Sequence, residues 1–343
     1  MPRLGVVGTM VWDTIFAHDA DHERPSHEWG GIAYALSAFD AAAAADWRVF
    51  PIIKLGEDLA EPAFSFLRDL DRVDSLEGVQ VVPEPNNRVA LHYHDTSRRC
   101  ERLSGGIPPW ESEDLWSLAR GCDALYVNFI AGWEMDLAAA QGLRDSVRGP
   151  LYADLHSLLL SVGPDGIRAL RPLAEWREWL ACFDLVQLNE DEFETLTGPG
   201  EDPTSVVASA VGPETKAVLV TLGARGASWI ATESCRRHGL HAPTGEAIDP
   251  NPITTGLAEN RAQPQEGDPT GCGDVWGMTC CTSLLGGLEL EPAMQRANAF
   301  ASRVAASTGA SGLQRVLRSE AGVLQAGNSG FREQQRRSGE ISE

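Results

Sequence analysis

The stretch Asp268-Pro269-Thr270-Gly271-Cys272-Gly273-Asp274 sets glycines around a cysteine, with an aspartate at each end, just before the apolar run VWGMTCCTSLLGG. Glycine weakens regular structure, so a cluster of it needs a local reason. Close approach of bare backbone to a ligand is such a reason. At a helix start, free N–H groups and the positive end of the helix dipole make a hole for an anion. Asp274 then falls in the first turn, facing whatever the hole binds. A simple capping aspartate would not require glycine on both sides. A carboxylate beside an anion hole suits phosphoryl transfer to a hydroxyl, a reaction that chiefly needs charge stabilised and two oxygens held in line. There is no P-loop, and neither glycine spacing nor position fits a dinucleotide fingerprint.

The elements that must position this loop read as a doubly wound, mostly parallel α/β sheet with helices on both faces. LGVVG (4–8), RVFPIIKLG (48–56), ALYVNFI (124–130), LYADL (151–155), DLVQLN (184–189) and AVLVTLG (217–223) are short apolar runs of buried-strand type. Helical candidates at 32–45, 61–70 and 135–147 alternate with them. Ligands in such a sheet sit at the carboxyl ends of the strands. Residues 79–103 alternate apolar and polar side chains and predict a one-sided hairpin, part of a small β lid built from 12–30 and 86–104. Residues 242–268 are rich in proline and glycine and predict a long loop. The domain spans 1–326, and the polar tail 327–343 frays.

DPTGCGD resembles the second signature of the ribokinase-like (PfkB-type) carbohydrate kinases, D-T-x-G-A-G-D. LNEDEFETLTG (188–198) is similar to the family's N-x-x-E element, and VTLGARGA (220–227) to its nucleotide-binding turn. RANAFASRVAASTGASG (296–312) resembles its closing helix and loop at the adenine. The resemblance implies an ATP- and Mg²⁺-dependent kinase acting on a sugar or nucleoside hydroxyl. It places Asp274 as general base and Gly271, Cys272 and Gly273 as the anion hole. Thr221, Gly223, Gly226, Asn189 and Asn298 fall to the nucleotide, and Glu192 to Mg²⁺ through water. Asp268 falls to a monovalent-cation (K⁺) site or, equally, to a turn. On the acceptor side it gives Asp13, Gly30, Gly31, Tyr34 and Asp58.

The chain departs from the family pattern in several places. Tyr34 stands where the first signature carries an amide, Glu61 where the G-x-D element continues to glycine, and His156 replaces the amide of a D-x-N element. Cys272 replaces alanine, as a small apolar filler. The departures concentrate on the acceptor side, so they leave the substrate open and the phosphoryl-transfer half intact.

A net charge of -21 repels nucleic acid and anionic membrane. The N-terminus lacks an apolar run of signal or membrane length, and the seven cysteines show no zinc spacing, which predicts reduced thiols in the cytoplasm. A homodimer through the β lid is a further expectation. Two rivals stay open: a nucleoside kinase whose front aromatics stack a base, and a nucleotide-binding regulator that lost its acceptor chemistry.

Overall fold

In the computed structural model, residues 1–16, 25–93, 99–198, 200–240, 252–262, 269–305, 307 and 309–319 are described. The apolar runs become strands because each is covered on both faces and can bury every side chain. In chain order the first elements are β1 (Arg3–Gly8), β2 (Met10–Phe16), β3 (Ser26–Gly31), α1 (Ile32–Ala42), β4 (Arg48–Gly56), α2 (Ala60–Arg68), β5 (Val79–Val82), β6 (Arg88–Tyr93) and β7 (Arg99–Ser104). Next come α3 (Ser112–Ala119), β8 (Ala124–Asn128), α4 (Leu137–Ser146), β9 (Leu151–Asp154), β10 (Leu160–Val162), β11 (Arg168–Leu170) and α5 (Trp176–Ala181). The chain continues through β12 (Leu185–Asn189), α6 (Glu190–Thr195), α7 (Pro203–Ala208), β13 (Ala217–Thr221), β14 (Gly226–Thr232) and α8 (Glu233–His238). It ends with β15 (Ile253–Glu259), α9 (Cys272–Leu285) and α10 (Leu290–Val304).

Nine strands form one sheet in the order β15-β14-β13-β12-β9-β8-β1-β4-β5. From β13 to β5 all neighbours are parallel, and β14 and β15 add an antiparallel edge. One apolar cluster, with α1, α9 and α10, fills one face, and a second, with α3, α4 and α5, fills the other. This is the ribokinase-like architecture expected. Strand order reverses between β1 and β8, because the chain first builds outward to β4 and β5 and then returns.

A second sheet, β3-β2-β6-β7, is the lid. Its apolar face is packed within the chain, where Val11, Ile15, Val89, Leu91 and Leu103 bury against Ile130. The β10–β11 hairpin buttresses it: Arg102 bridges to Ile167, Leu103 N–H donates to Gly166 O at 2.8 Å, and buried Arg168 pairs with Glu101 at 3.5 Å.

Two expectations need correction. Residues 253–259, read as part of a loop, form β15, an edge strand whose largely exposed alternation hides its pairing with β14. Polar residues are tolerated there because one edge and much of the surface face water. Of that expected loop, 242–251 and 263–268, with Asp268, lie outside the described residues, as does the tail. Residues 79–82 belong to the main sheet beside β4 rather than to the lid hairpin, since their short run pairs parallel to Ile53–Gly56.

The sheet is stapled beneath α4 by Asp184, which is buried just before β12. Its carboxylate accepts from Arg144 at 2.6 Å, Lys216 at 2.8 Å and Leu151 N–H at 2.8 Å. Burial alone would raise its pKa, but these partners outweigh it and hold the group below the ordinary carboxylate value. A depressed folded pKa contributes stability that is present above about pH 4 and lost as pH falls through the folded value. Asp184→Asn is therefore expected to lose about 1.5–3 kcal/mol at pH 7, since the half-buried Arg144 and Lys216 lose a charged hydrogen-bond partner. The gap between variant and wild type should close during urea unfolding at progressively lower pH. A gap independent of pH would show that the carboxylate's charge is not what counts.

Candidate active site

Helix α9 brings the chemistry to the sheet because its second turn is unusually close to the strands. A Cβ at Gly277 would lie 2.2 Å from Gln187 Oε1 and 2.5 Å from the Tyr126 hydroxyl. Only glycine lets the helix settle onto these groups. Its N-cap, Gly271, has φ 81°, a left-handed conformation that glycine adopts without a Cβ penalty, and no side chain caps the turn. No side chain covers this positive end of the helix, which suits an anion, while Cys272 N–H is already spent on Pro269 O at 3.1 Å. Gln187 holds the turn from below: its Nε2 donates to Gly273 O at 3.0 Å and to Asp154 Oδ2 at 2.9 Å, and its Oε1 accepts from Tyr152 at 2.8 Å.

Asp274 sits in that first turn and accepts from Asn128 Nδ2 at 2.6 Å. With Gly271, Cys272 and Gly273 it lines a cavity of about 710 Å³, together with Asp154, His156, Asn189, Glu192, Thr221 and Gly223. Most of the donor-side residues picked from the sequence are therefore brought together.

Glu192 is buried and fully engaged. Its carboxylate accepts from the Asn189 backbone at 2.8 Å and the Asn189 amide at 2.6 Å, completing a capping box, and His156 Nδ1 lies 2.7 Å away. Burial works against the imidazolium of His156, but Glu192, with Asp154 and Glu101, overcomes this and raises its pKa to about 9. Burial, assisted by the charges of Glu192 and Asp274, pushes the Asp154 carboxyl well up, against the pull of His156. The floor of the cavity therefore carries a His156–Glu192 ion pair beside an Asp154 whose protonated form burial favours.

An adjoining cavity of about 300 Å³ is lined by Gly226, Ala224, Pro269, Trp276, Asn298 and Ala301. Asn298 is a wall fixture here, because its amide is spent on Trp276 Nε1–H at 2.8 Å and Ala258 O at 2.9 Å. Gly226, with φ 104°, meets β15 so closely that a Cβ would lie 2.2 Å from Ala258 O. Cys272 turns its Sγ toward Ala301 O, 3.5 Å away, as a small filler against α10 would.

The acceptor-side residues form a separate group at the root of the lid. Asp13 is buried with its carboxylate over Gly30, where a Cβ would lie 1.8 Å from Oδ2. Gly31 is the N-cap of α1. Tyr34 is 1% exposed, and its ring lies against Gly271, which links this group to the anion hole. Asp58 does not join them: its carboxylate accepts from Asn86 N–H at 2.8 Å and from Arg88 at 2.6 Å, anchoring the lid. Among the described residues no group of three or more His, Cys, Asp or Glu side chains converges to hold a metal, and no helix is long and apolar enough to cross a membrane. A metal that keeps its own waters and binds through phosphate suits such a carboxylate-rich wall better than an all-protein cage would.

Sequence reasoning did not single out Asn128, Asp154 or Gln187. Each is a polar residue in or ending an apolar strand, ALYVN, LYAD and LVQLN. A polar side chain breaking a doubly covered strand is the signal that would have found them.

A family profile described as pfkB family carbohydrate kinase matches residues 158–252. A sequence search of curated proteins finds no match. Solved structures match over most of the chain. A pyrophosphate-dependent kinase in the ribokinase family, complexed with a pyrophosphate analog and myo-inositol, is 19% identical, with 88% of this chain and 94% of that one covered and a TM-score of 0.63. The ribokinase of Thermotoga maritima is 15% identical, covering 93% and 99%, with a TM-score of 0.67. Arabidopsis thaliana ribokinase, complexed with ribose and ATP, is 19% identical, covering 92% and 99%, with a TM-score of 0.64. A stretch at the centre of the chain thus matches the pfkB carbohydrate kinase profile, and nearly the whole length shares the ribokinase fold.

Proposed function

We propose that the chain is an ATP-dependent kinase that phosphorylates a hydroxyl of a sugar or sugar derivative. The observation that carries this reading is Asp274 in the uncapped first turn of α9, beside Gly271–Gly273, in a cavity large enough for a polyphosphate and its acceptor. Asp274 takes the proton of the acceptor hydroxyl as its oxygen attacks the terminal phosphorus. The bond from that phosphorus to the leaving diphosphate oxygen breaks, and the N–H groups of Gly271 and Gly273, with the positive end of α9, stabilise the oxygens that gain charge. Mg²⁺ bound with the donor would supply neutralisation of its phosphates, and Glu192 would meet it only through a water at Oε2, which accepts a single bond from Asn189 N–H. The adjoining 300 Å³ cavity, walled by Ala224, Pro269, Trp276 and Ala301, supports a nucleotide donor, since pyrophosphate would leave it empty.

Tyr34 and Trp29 are buried, with Trp29 packed edge-on to the half-buried Trp12 at 4.9 Å, so two of the three front aromatics are not open to stack a base. This favours a sugar or polyol over a nucleoside.

The test is a phosphoryl-transfer panel of sugars, sugar acids, polyols and nucleosides, with MgATP and Mg-pyrophosphate as donors. A sugar or polyol should head the panel with ATP. Ribose should rank low, by a factor on the order of 10⁴, where an amide contact to its hydroxyl is missing. Ribose among the best acceptors would refute the argument from Tyr34, and a nucleoside at the head would favour the rival kinase.

A further inference from the structure

We propose that Asn128 is a positioning residue that fixes Asp274 for proton removal, an assignment that rests on the phosphoryl-transfer reading above. Asn128 closes β8 at the point where strand order reverses against β1. In an open α/β sheet the reacting ligands lie beyond the strand ends at that switch point. The residue is fully buried, and its Nδ2 donates to Asp274 Oδ1 at 2.6 Å. Its own Oδ1 has no hydrogen-bond partner among the described residues.

An amide kept for the fold's sake would satisfy both ends, because a buried carbonyl left unpaired is costly. Here one end is left unpaired while the other grips the general base. The grip is rigid. Asn128 is in register with Asp154, Phe129 N–H donates to Asp154 O at 3.0 Å, and Ile130 N–H returns to Asn128 O at 3.0 Å. The backbone on the other side is equally close, since a Cβ at Gly8 would lie 3.0 Å from Asn128 O. A side chain delivered from so constrained a strand end holds Asp274 Oδ1 in one place. Oδ2 is then the oxygen that meets the acceptor proton. The other titratable groups sharing this cavity are Asp154 at the end of β9, His156 just after it, and Glu190, Asp191 and Glu192 on α6.

The test measures MgATP hydrolysis, with water as acceptor, and transfer to the best acceptor of the panel. Asn128→Ala should lower kcat about 10–100-fold, as loss of orientation does, with the KM for ATP nearly unchanged. In an Asp274→Asn background the same change should cost less than about threefold, because groups that act as a unit are non-additive. Asn128→Asp keeps the shape and sets a second carboxyl on Asp274, so the two share a proton. The acid limb of its kcat–pH profile should move up by about one unit or more. A residue that merely fills the core would leave that limb where it is, and the near-isosteric Asp variant answers even where Ala fails to fold. Full additivity with Asp274→Asn, or an unmoved acid limb, overturns the assignment. Wild-type protein that neither hydrolyses MgATP nor phosphorylates any acceptor overturns the kinase reading and this inference together. Normal turnover in Asn128→Ala sinks this inference alone.

Discussion

Asp274→Asn is expected to lower kcat by about 10²–10⁴-fold, the usual contribution of a general base, while ATP affinity is kept. Asparagine preserves shape and hydrogen bonding at the head of α9 but cannot take a proton. In the proposed reading the nucleotide contacts come from the turn at 271–273 and from the wall at Thr221, Gly223 and Gly226, none of which the substitution alters. The loss should therefore fall on kcat rather than on the KM for ATP. Removing a negative charge from the donor cavity should, if anything, tighten ATP slightly. A capping aspartate predicts the opposite, since asparagine caps nearly as well and turnover would survive. The comparison is kcat and ATP affinity for the two proteins, with the acceptor found in the panel. Near-normal turnover would remove Asp274 from the mechanism and most of the kinase proposal with it.

Gly271→Ala is expected to damage both fold and turnover. The new methyl would lie 2.3 Å from Tyr34 Cδ1 and 2.4 Å from Cγ, and the ring, 1% exposed, has nowhere to go. The backbone must also hold a left-handed φ of 81°, which costs a Cβ-bearing residue about 1–2 kcal/mol. Overpacking adds about 1–3 kcal/mol, so Tm should fall by several degrees. The cheapest relief is a shift of the loop, and a displacement of about 1 Å in a catalytic hole costs on the order of 10²-fold in rate. Combining it with Tyr34→Ala should cost less stability than the two changes summed, because the ring is half of the clash. Simple additivity, with normal turnover in Gly271→Ala, would mean that the loop does not rest on Tyr34.

The donor half was legible in the sequence because its requirements are local. A glycine turn before a helix, an N-x-x-E cap and a strand-end turn each announce themselves within a few residues, and the structure gathers Asn189, Glu192, Thr221, Gly223 and Gly271–Asp274 around one cavity. Asn128 and Gln187 were not legible. Their importance comes from which strands become neighbours, and β8, β9 and β12 meet only through crossovers that spacing does not reveal. Asp58 misled for a related reason: a turn aspartate near a binding motif is equally suited to gripping the lid, and here it grips Asn86 and Arg88. β15 escaped because an exposed edge strand needs little apolar pattern.

The segment from Asp154 to Leu170 touches both halves of the molecule. At its start Asp154 and His156 form the floor of the donor cavity, and about a dozen residues later Gly166–Arg168 clasp the lid through Leu103, Arg102 and Glu101. Seventeen consecutive residues thus connect the cavity to the lid. If occupancy at one end biases the other, thermodynamic reciprocity requires equal traffic in both directions: whatever factor the phosphate donor adds to acceptor affinity, the acceptor returns to the donor.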